Sequence, residues 1–289
     1  MTRRAFLGGS AGAAGTFLGG AGRRRAGRGG AAAAARSEPL YRLGLASYTF
    51  REFDLDSTLA MARRLGLTRI ALKDMHLPLT SSEAAIRATT DRIRAAGLVP
   101  YGCGVVYMTN EAEVDRAFAY ARAGGMEVVI GVPGHALLGR AEERVRETGV
   151  ALAIHNHGPA DPLYPTPGSV LERIGGLDPR IGVCLDIGHC LRSGIEPSEA
   201  AAACGPRLLD VHLKDVTAAS AAGVAIEAGR GAVDLPRFLR TLAELGYRGT
   251  ASFEYEKDGR DPLPGLAESV GFVRGVLAAD RTARAGGGP

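Results

Sequence analysis

Three short apolar runs in the second half of the chain end in residues that bind metal ions or move protons. Ile181 to Leu185 runs into Asp186, with Gly188 and His189 just behind it. Leu208 to Leu213 carries His212 and is followed by Lys214 and Asp215, and Thr250 to Phe253 runs into Glu254. A run that stops this abruptly at a carboxylate or an imidazole reads as a buried strand whose end emerges at a site. An Asp, a His and a Glu at successive strand ends form a hard-to-borderline divalent-cation set. Val150 to Ile154 adds a fourth strand end, His155-Asn156-His157, and the second strand of the chain ends near Lys73 and His76.

Five of the six histidines fall at such strand ends; only His135 does not. Side chains alternate along a strand, so parity tells which of these residues can point together. Ala153, His155 and His157 share one face, as do His212 with Lys214 and Ser252 with Glu254. Asp186, His212 and Glu254 therefore converge with one fifth-strand histidine, for which His155 is preferred over His157. Two oxygen and two nitrogen donors suit Mn, Zn, Co or Fe, with positions left open for substrate oxygens. Plainer roles exist for each residue. Asp186 could cap a helix, His157 could bond its own loop, and Lys214 could pair with Asp215. Lys73 shares inward parity with Ala71 and is placed at the substrate. Gly229-Arg230-Gly231 offers one cation near the mouth, or an ordinary turn.

Such convergence requires parallel strands. Apolar β-type runs at 43–48, 69–73, 98–106, 127–132, 150–154, 181–185, 208–213 and 250–253 alternate with helical stretches. Those helices are expected at 56–65, 82–96, 112–123, 136–148, 167–174, 197–203, 235–245 and 266–277, most followed by a glycine stop. Eight strand–helix pairs in about 240 residues fit a (β/α)₈ barrel, whose catalytic face is the carboxyl end of its strands. A doubly wound open sheet is disfavoured, because the first loop reads Thr49-Phe-Arg-Glu-Phe-Asp54, without a glycine-rich phosphate fingerprint.

The 289 residues divide into a leader (1–37), a barrel domain (38–279) and a flexible tail (280–289). Paired Arg3-Arg4 before a mildly apolar Gly/Ala-rich run resembles a twin-arginine export signal, so a periplasmic location is expected. That run is too short and Gly-rich to span a membrane. Seven of the arginines lie in residues 1–36 without any acid. The remainder carries 28 basic against 31 acidic residues, a balance of −3 that gives no electrostatic reason to expect nucleic acid. The four cysteines show no zinc spacing, and Cys184 reads as a small inward-facing residue.

Leu185-Asp186-Ile-Gly-His189, Val211-His212-Leu-Lys214-Asp215, Gly229-Arg230-Gly231-Ala-Val-Asp234 and Ser252-Phe253-Glu254 together resemble the xylose isomerase-like TIM-barrel superfamily of sugar phosphate isomerases and epimerases. The likeness covers about residues 41–277. It implies a divalent metal (Mn, Zn, Co, Fe or Mg) held by Asp186, His212 and Glu254, with His155 where relatives usually place a glutamate. It further implies a carbohydrate substrate, a possible homo-oligomer, and proton transfer through an enediolate. Glu254 is the expected base, and Lys73, His155 or His157 its partner. His189, Lys214, Arg230, Asn156 and His76 are the expected substrate contacts. Loss of the fifth-strand glutamate raises a lyase or dehydratase of a keto-sugar or inosose as an alternative. A non-catalytic sugar-binding barrel, a Schiff-base aldolase built on Lys73 or Lys214, and an apurinic-site endonuclease are further alternatives, the last opposed by the charge balance.

Overall fold

Helix starts are set by short polar side chains that satisfy the free N–H groups of a first turn. Asp54 accepts from the Ser57 amide, Ser82 from Ala85, Asn110 from Glu113 and Asp234 from Arg237. At Thr166 the exchange with Ser169 is reciprocal. Gly149 closes one helix in the left-handed region, at φ 75°, where a Cβ would be strained.

The computed structural model describes residues 41–286. Barrel strands are β1 (Arg42–Ala46), β2 (Arg69–Leu72), β3 (Val99–Met108), β4 (Val128–Pro133), β5 (Ala151–His155), β6 (Ile181–Asp186), β7 (Leu208–Leu213) and β10 (Thr250–Phe253). A small antiparallel pair, β8 (Asp215–Val216) with β9 (Ala225–Ile226), lies between β7 and β10 in the chain. Helices are α1 (Leu55–Arg64), α2 (Glu83–Ala95), α3 (Glu111–Ala123), α4 (Leu138–Thr148), α5 (Pro167–Ile174), α6 (Ile187–Arg192), α7 (Pro197–Cys204), α8 (Leu235–Glu244) and α9 (Pro262–Gly286). All eight barrel strands are parallel and close in the order β1-β10-β7-β6-β5-β4-β3-β2. This is the expected (β/α)₈ barrel.

Three details differ from the sequence reading. The first strand stops at Ala46, and Ser47–Phe50 forms a 3-10 turn. Ser47 Oγ there accepts the Lys73 amide and bonds His76 Nδ1, which draws the chain across the barrel end. A short helix, α6, begins directly after Asp186. The last helix starts at Pro262 rather than 266 and runs to Gly286, so the expected tail is helical to that point. The export signal lies outside the described residues. Among those described, no helix is long and apolar enough to cross a membrane, and all four cysteines are free and buried.

Apolar side chains fill the layer between helices and barrel, and a smaller group, including Ala71, Tyr101, Ile130, Ala153 and Cys184, fills the barrel itself. That inner group is interrupted by polar contacts. Tyr101 Oη bonds Ser252 Oγ, and Arg69 Nε donates to Thr250 Oγ1 at 2.9 Å. Barrel cores of this kind are ordinarily packed with branched apolar side chains.

Candidate metal centre at the carboxyl end of the barrel

His155 is the last residue of β5, Asp186 the last of β6, His212 the fifth of β7, and Glu254 follows β10 directly. Barrel register sets Asp186 opposite His212 and His212 opposite Ser252, so parity delivers all four to one place. One donor atom from each lies within 4.8 Å of the others. All four are buried, at most 5% exposed. His155 Nε2 stands 3.5 Å from Asp186 Oδ2, and His212 Nδ1 3.2 Å from Glu254 Oε2.

The donor set fits a divalent cation. Both ring nitrogens of His155 and Nε2 of His212 are buried and make no hydrogen bond, whereas buried polar atoms are almost always satisfied. Oδ2 of Asp186 is held only by its ion pairs with Lys214 at 3.1 Å and His155 at 3.5 Å. Their types, two imidazoles and two carboxylates, are those of a borderline transition-metal site. Electrostatics agrees. Burial drives the His155 pKa down to about 4, which leaves the ring neutral and able to ligate. Burial also opposes ionisation of Asp186 and Glu254, but Lys214 and the neighbouring imidazoles outweigh it and hold both carboxyls below their ordinary range. At His212 burial is outweighed by the Glu254 carboxylate, and the pKa rises to about 9.

Lys214 is the cation already present. Its Nζ lies 2.9 Å from Glu254 Oε2, 3.1 Å from Asp186 Oδ2, 3.2 Å from Glu256 Oε2 and 3.3 Å from His189 Nε2. His189 is held from the other side by Arg192 at 3.2 Å, and burial lowers its pKa to about 3. His157 sits at the lip, half-buried. Its ring is 5.2 Å from that of His155, and Nδ1 is bonded by Tyr107 Oη and approached by Asp161 Oδ2 at 3.4 Å. Lys73 is half-buried, donates to the Val105 carbonyl, and has its pKa lowered by burial against the pull of Glu254.

Three expected substrate contacts are placed otherwise. Asn156 commits both ends of its amide to Asp186, donating to its carbonyl at 3.1 Å and accepting its N–H at 3.0 Å. It clamps the ligand's backbone. His76 is enclosed by Ser47 Oγ, Thr58 Oγ1 and the Phe53 carbonyl at 2.9–3.1 Å, so its ring is committed to joining the first two loops. Arg230 is exposed and forks onto Glu268 of α9. Conversely, Tyr107, Asp161 and Asp210 belong to the surroundings of the site, although the sequence reading did not place them there; Glu256, at the eighth strand end with Glu254 in that reading, is there too. Of the three, only Asp210, two before His212, carried a parity signal. Asn156→Ala should orphan two buried backbone groups of Asp186 and cost roughly 2–5 kcal/mol. Thermal melting with and without metal checks this, and a melting temperature equal to wild type would refute the clamp.

The fold is thus a TIM barrel, with a His–Asp–His–Glu set that could hold a metal ion at its carboxyl end. The family profile described as xylose isomerase-like TIM barrel matches residues 46–276, and the chain belongs to that family. A curated relative, the rhizopine catabolism protein MocC of Rhizobium meliloti, is 30% identical over 157 residues, 45% of this chain and 48% of the relative. The match thus spans about half the relative's length. An L-ribulose 3-epimerase structure aligns with TM-score 0.67 at 19% identity, covering 86% of this chain and 98% of that one. The probable 3-DHS dehydratase AsbF from Bacillus anthracis aligns with TM-score 0.61 at 16% identity, covering 81% and 98%. At these identities the structures report the shared fold.

Proposed function

We propose that this chain is a divalent-metal-dependent isomerase or epimerase of a sugar or keto-sugar, working through an enediolate. The observation that carries it is the convergence of His155, Asp186, His212 and Glu254, one potential ligand atom of each lying within 4.8 Å of the others. A cation held by these four supplies Lewis-acid polarisation of an adjacent carbonyl–hydroxyl pair. Family membership and the epimerase among the structural neighbours support the same class.

The protein's own groups divide the remaining work. Glu254, kept ionised by Lys214 and His212, takes the proton from the carbon beside the carbonyl. Lys214 ties Glu254, Asp186 and Glu256 into one rigid array. It thus holds the base at a fixed position before substrate arrives. On the opposite lip His157, oriented by Tyr107 and Asp161, and the Lys73 ammonium are the candidates to return or relay the proton. His189, packed edge-on against His155 and His157 at ring separations of 5.9 and 5.0 Å, completes the wall facing the substrate. The paired arginines near the start of the chain support export of this activity to the periplasm.

One observation favours a second reading. Where a symmetrical epimerisation would use a carboxylate on the fifth strand, this chain has His155, neutral and buried. A lyase or dehydratase needs only one base and a departing hydroxyl, and the presence of a probable dehydratase among the structural neighbours is consistent with that.

The decisive experiment measures metal in the purified protein, wild type beside Asp186→Asn and His212→Ala, and then solvent-deuterium wash-in across a panel of keto-sugars. One equivalent of metal is expected in wild type and a large loss in both variants. Deuterium in an otherwise intact sugar identifies an isomerase or epimerase, whereas an ultraviolet-absorbing unsaturated carbonyl product identifies a dehydratase. Wild type without stoichiometric metal would sink the proposal.

A further inference from the structure

His212 has two ring nitrogens in different surroundings. Nδ1 stands 3.2 Å from Oε2 of Glu254, another of the four candidate ligands. Nε2, on the opposite side of the ring, makes no hydrogen bond and faces Asp210 Oδ2 at 3.7 Å. Asp210 is itself 1% exposed. Its Oδ2 receives the Cys184 thiol at 3.5 Å, and its Oδ1 is without a partner.

A carboxylate in this place calls for a reason. Burying one without full compensation is costly, and an apolar residue would fill the barrel better. Local geometry supplies the reason. Asp210 and His212 stand two apart on β7, hence on the same face, and each keeps one buried polar atom without a hydrogen bond, Oδ1 of Asp210 and Nε2 of His212. Histidines that bind metal usually donate their second ring N–H to a carboxylate or carbonyl, which fixes tautomer and ring orientation. The 3.7 Å separation exceeds a normal N–H···O bond by about half an ångström, so Asp210 is the nearest carboxylate to Nε2 without yet bonding it.

We infer that Asp210 is the positioning residue of this centre: its carboxylate accepts the Nε2–H of His212, so that Nδ1 presents its lone pair to the cation. This rests on the reading that His155, Asp186, His212 and Glu254 hold a metal, and it extends that reading one layer into the barrel. Cys184 Sγ, donating to the same carboxylate, and the Tyr101–Ser252 pair beside it make the polar interruption of the barrel core part of the metal site's support.

The test uses the full chain, stripped with a chelator and titrated with Zn²⁺ against a chromophoric competitor. Arms are wild type, Asp210→Ala and Asp210→Asn, with fold checked by circular dichroism. Asp210→Ala should weaken zinc binding about 10–100-fold, and Asp210→Asn, which keeps an acceptor oxygen, should recover much of that loss. A purely structural role would lower the melting temperature of the metal-free protein while leaving zinc affinity unchanged in the folded fraction, and that result overturns the inference. Wild type that binds no zinc removes the metal site and this inference with it, whereas wild type that binds while Asp210→Ala binds equally well removes only Asp210. Nitrogen-15 spectroscopy of zinc-loaded wild type gives an answer independent of how the variants fold. Zinc on His212 Nδ1 with a protonated Nε2 supports the assignment, and zinc on Nε2 overturns it.

Discussion

Glu254→Gln is expected to abolish turnover and solvent-deuterium exchange, lowering the rate by about 10²–10⁴-fold at saturating metal. Glutamine keeps the side chain's length and an oxygen donor, so the variant loses charge and basicity with little change of shape. In wild type that charge is sustained against burial by Lys214 at 2.9 Å and His212 at 3.2 Å, which is why the carboxyl stays ionised. The amide of the variant would lack the basicity to accept the proton, while Lys214 would remain fixed by Asp186 and Glu256. Metal affinity should fall as well, because an amide oxygen is a weaker ligand than a carboxylate. The measurement is therefore made across a metal titration, so that lost chemistry is read separately from lost metal. Full deuterium exchange by a metal-saturated variant would exclude Glu254 as the base and shift the role to His157 or Lys73.

The convergence of the four candidate ligands was legible because two simple signals coincide at it. Asp186, His212, Glu254 and His155 each sit at the end of an apolar run, and strand parity sends each one inward. The parallel barrel was legible for a related reason, since eight runs separated by capped helices leave few other ways to bury the strands. What escaped depends on contacts between residues far apart in sequence. Nothing near Arg230 announces Glu268, nor anything near His157 the phenol of Tyr107, fifty residues earlier. His76 looked like its strand-end neighbours, yet Ser47 and Thr58 claim its ring. Asp186 illustrates a different limit, for the capping role weighed against the ligand role does not displace it. Its Oδ1 accepts the His189 amide at the start of α6, while Oδ2 faces Lys214 at 3.1 Å and His155 at 3.5 Å among the candidate ligands. Asp210 was readable in principle from the Asp-Val-His spacing. It was overlooked because a buried acid in a barrel core gains meaning only once the unsatisfied nitrogen above it is seen.

Lys214→Met should produce the largest change in stability, and one that metal reverses. In the metal-free protein three carboxylates, Asp186, Glu254 and Glu256, gather within 3.2 Å of the Lys214 ammonium. Removing one partner of a buried ionic cluster costs about 3–5 kcal/mol, a fall in melting temperature on the order of 10 °C for a domain of this size. The pH dependence should also change sign. In wild type the folded-state pKa values of Asp186 and Glu254 are depressed. Their contribution is thus fully present above the unfolded carboxylate range near about pH 4, and is lost as pH falls through the folded values. Without Lys214, burial dominates and raises the carboxyl pKa values above the unfolded range. The folded state then binds more protons than the unfolded one, and stability falls as pH rises from about 4 toward neutrality. Thermal melts of metal-free Lys214→Met at about pH 5 and pH 8 should show the higher melting temperature at the lower pH. A divalent cation among the same carboxylates replaces the missing charge, so saturating metal should raise the variant's melting temperature more than that of wild type. Equal metal-induced shifts in the two proteins, or a variant as stable as wild type without metal, would show that Lys214 does not hold the carboxylates together. The prediction separates the lysine's two tasks, since a variant rescued in stability by metal but still inactive would place Lys214 in substrate binding as well as in support.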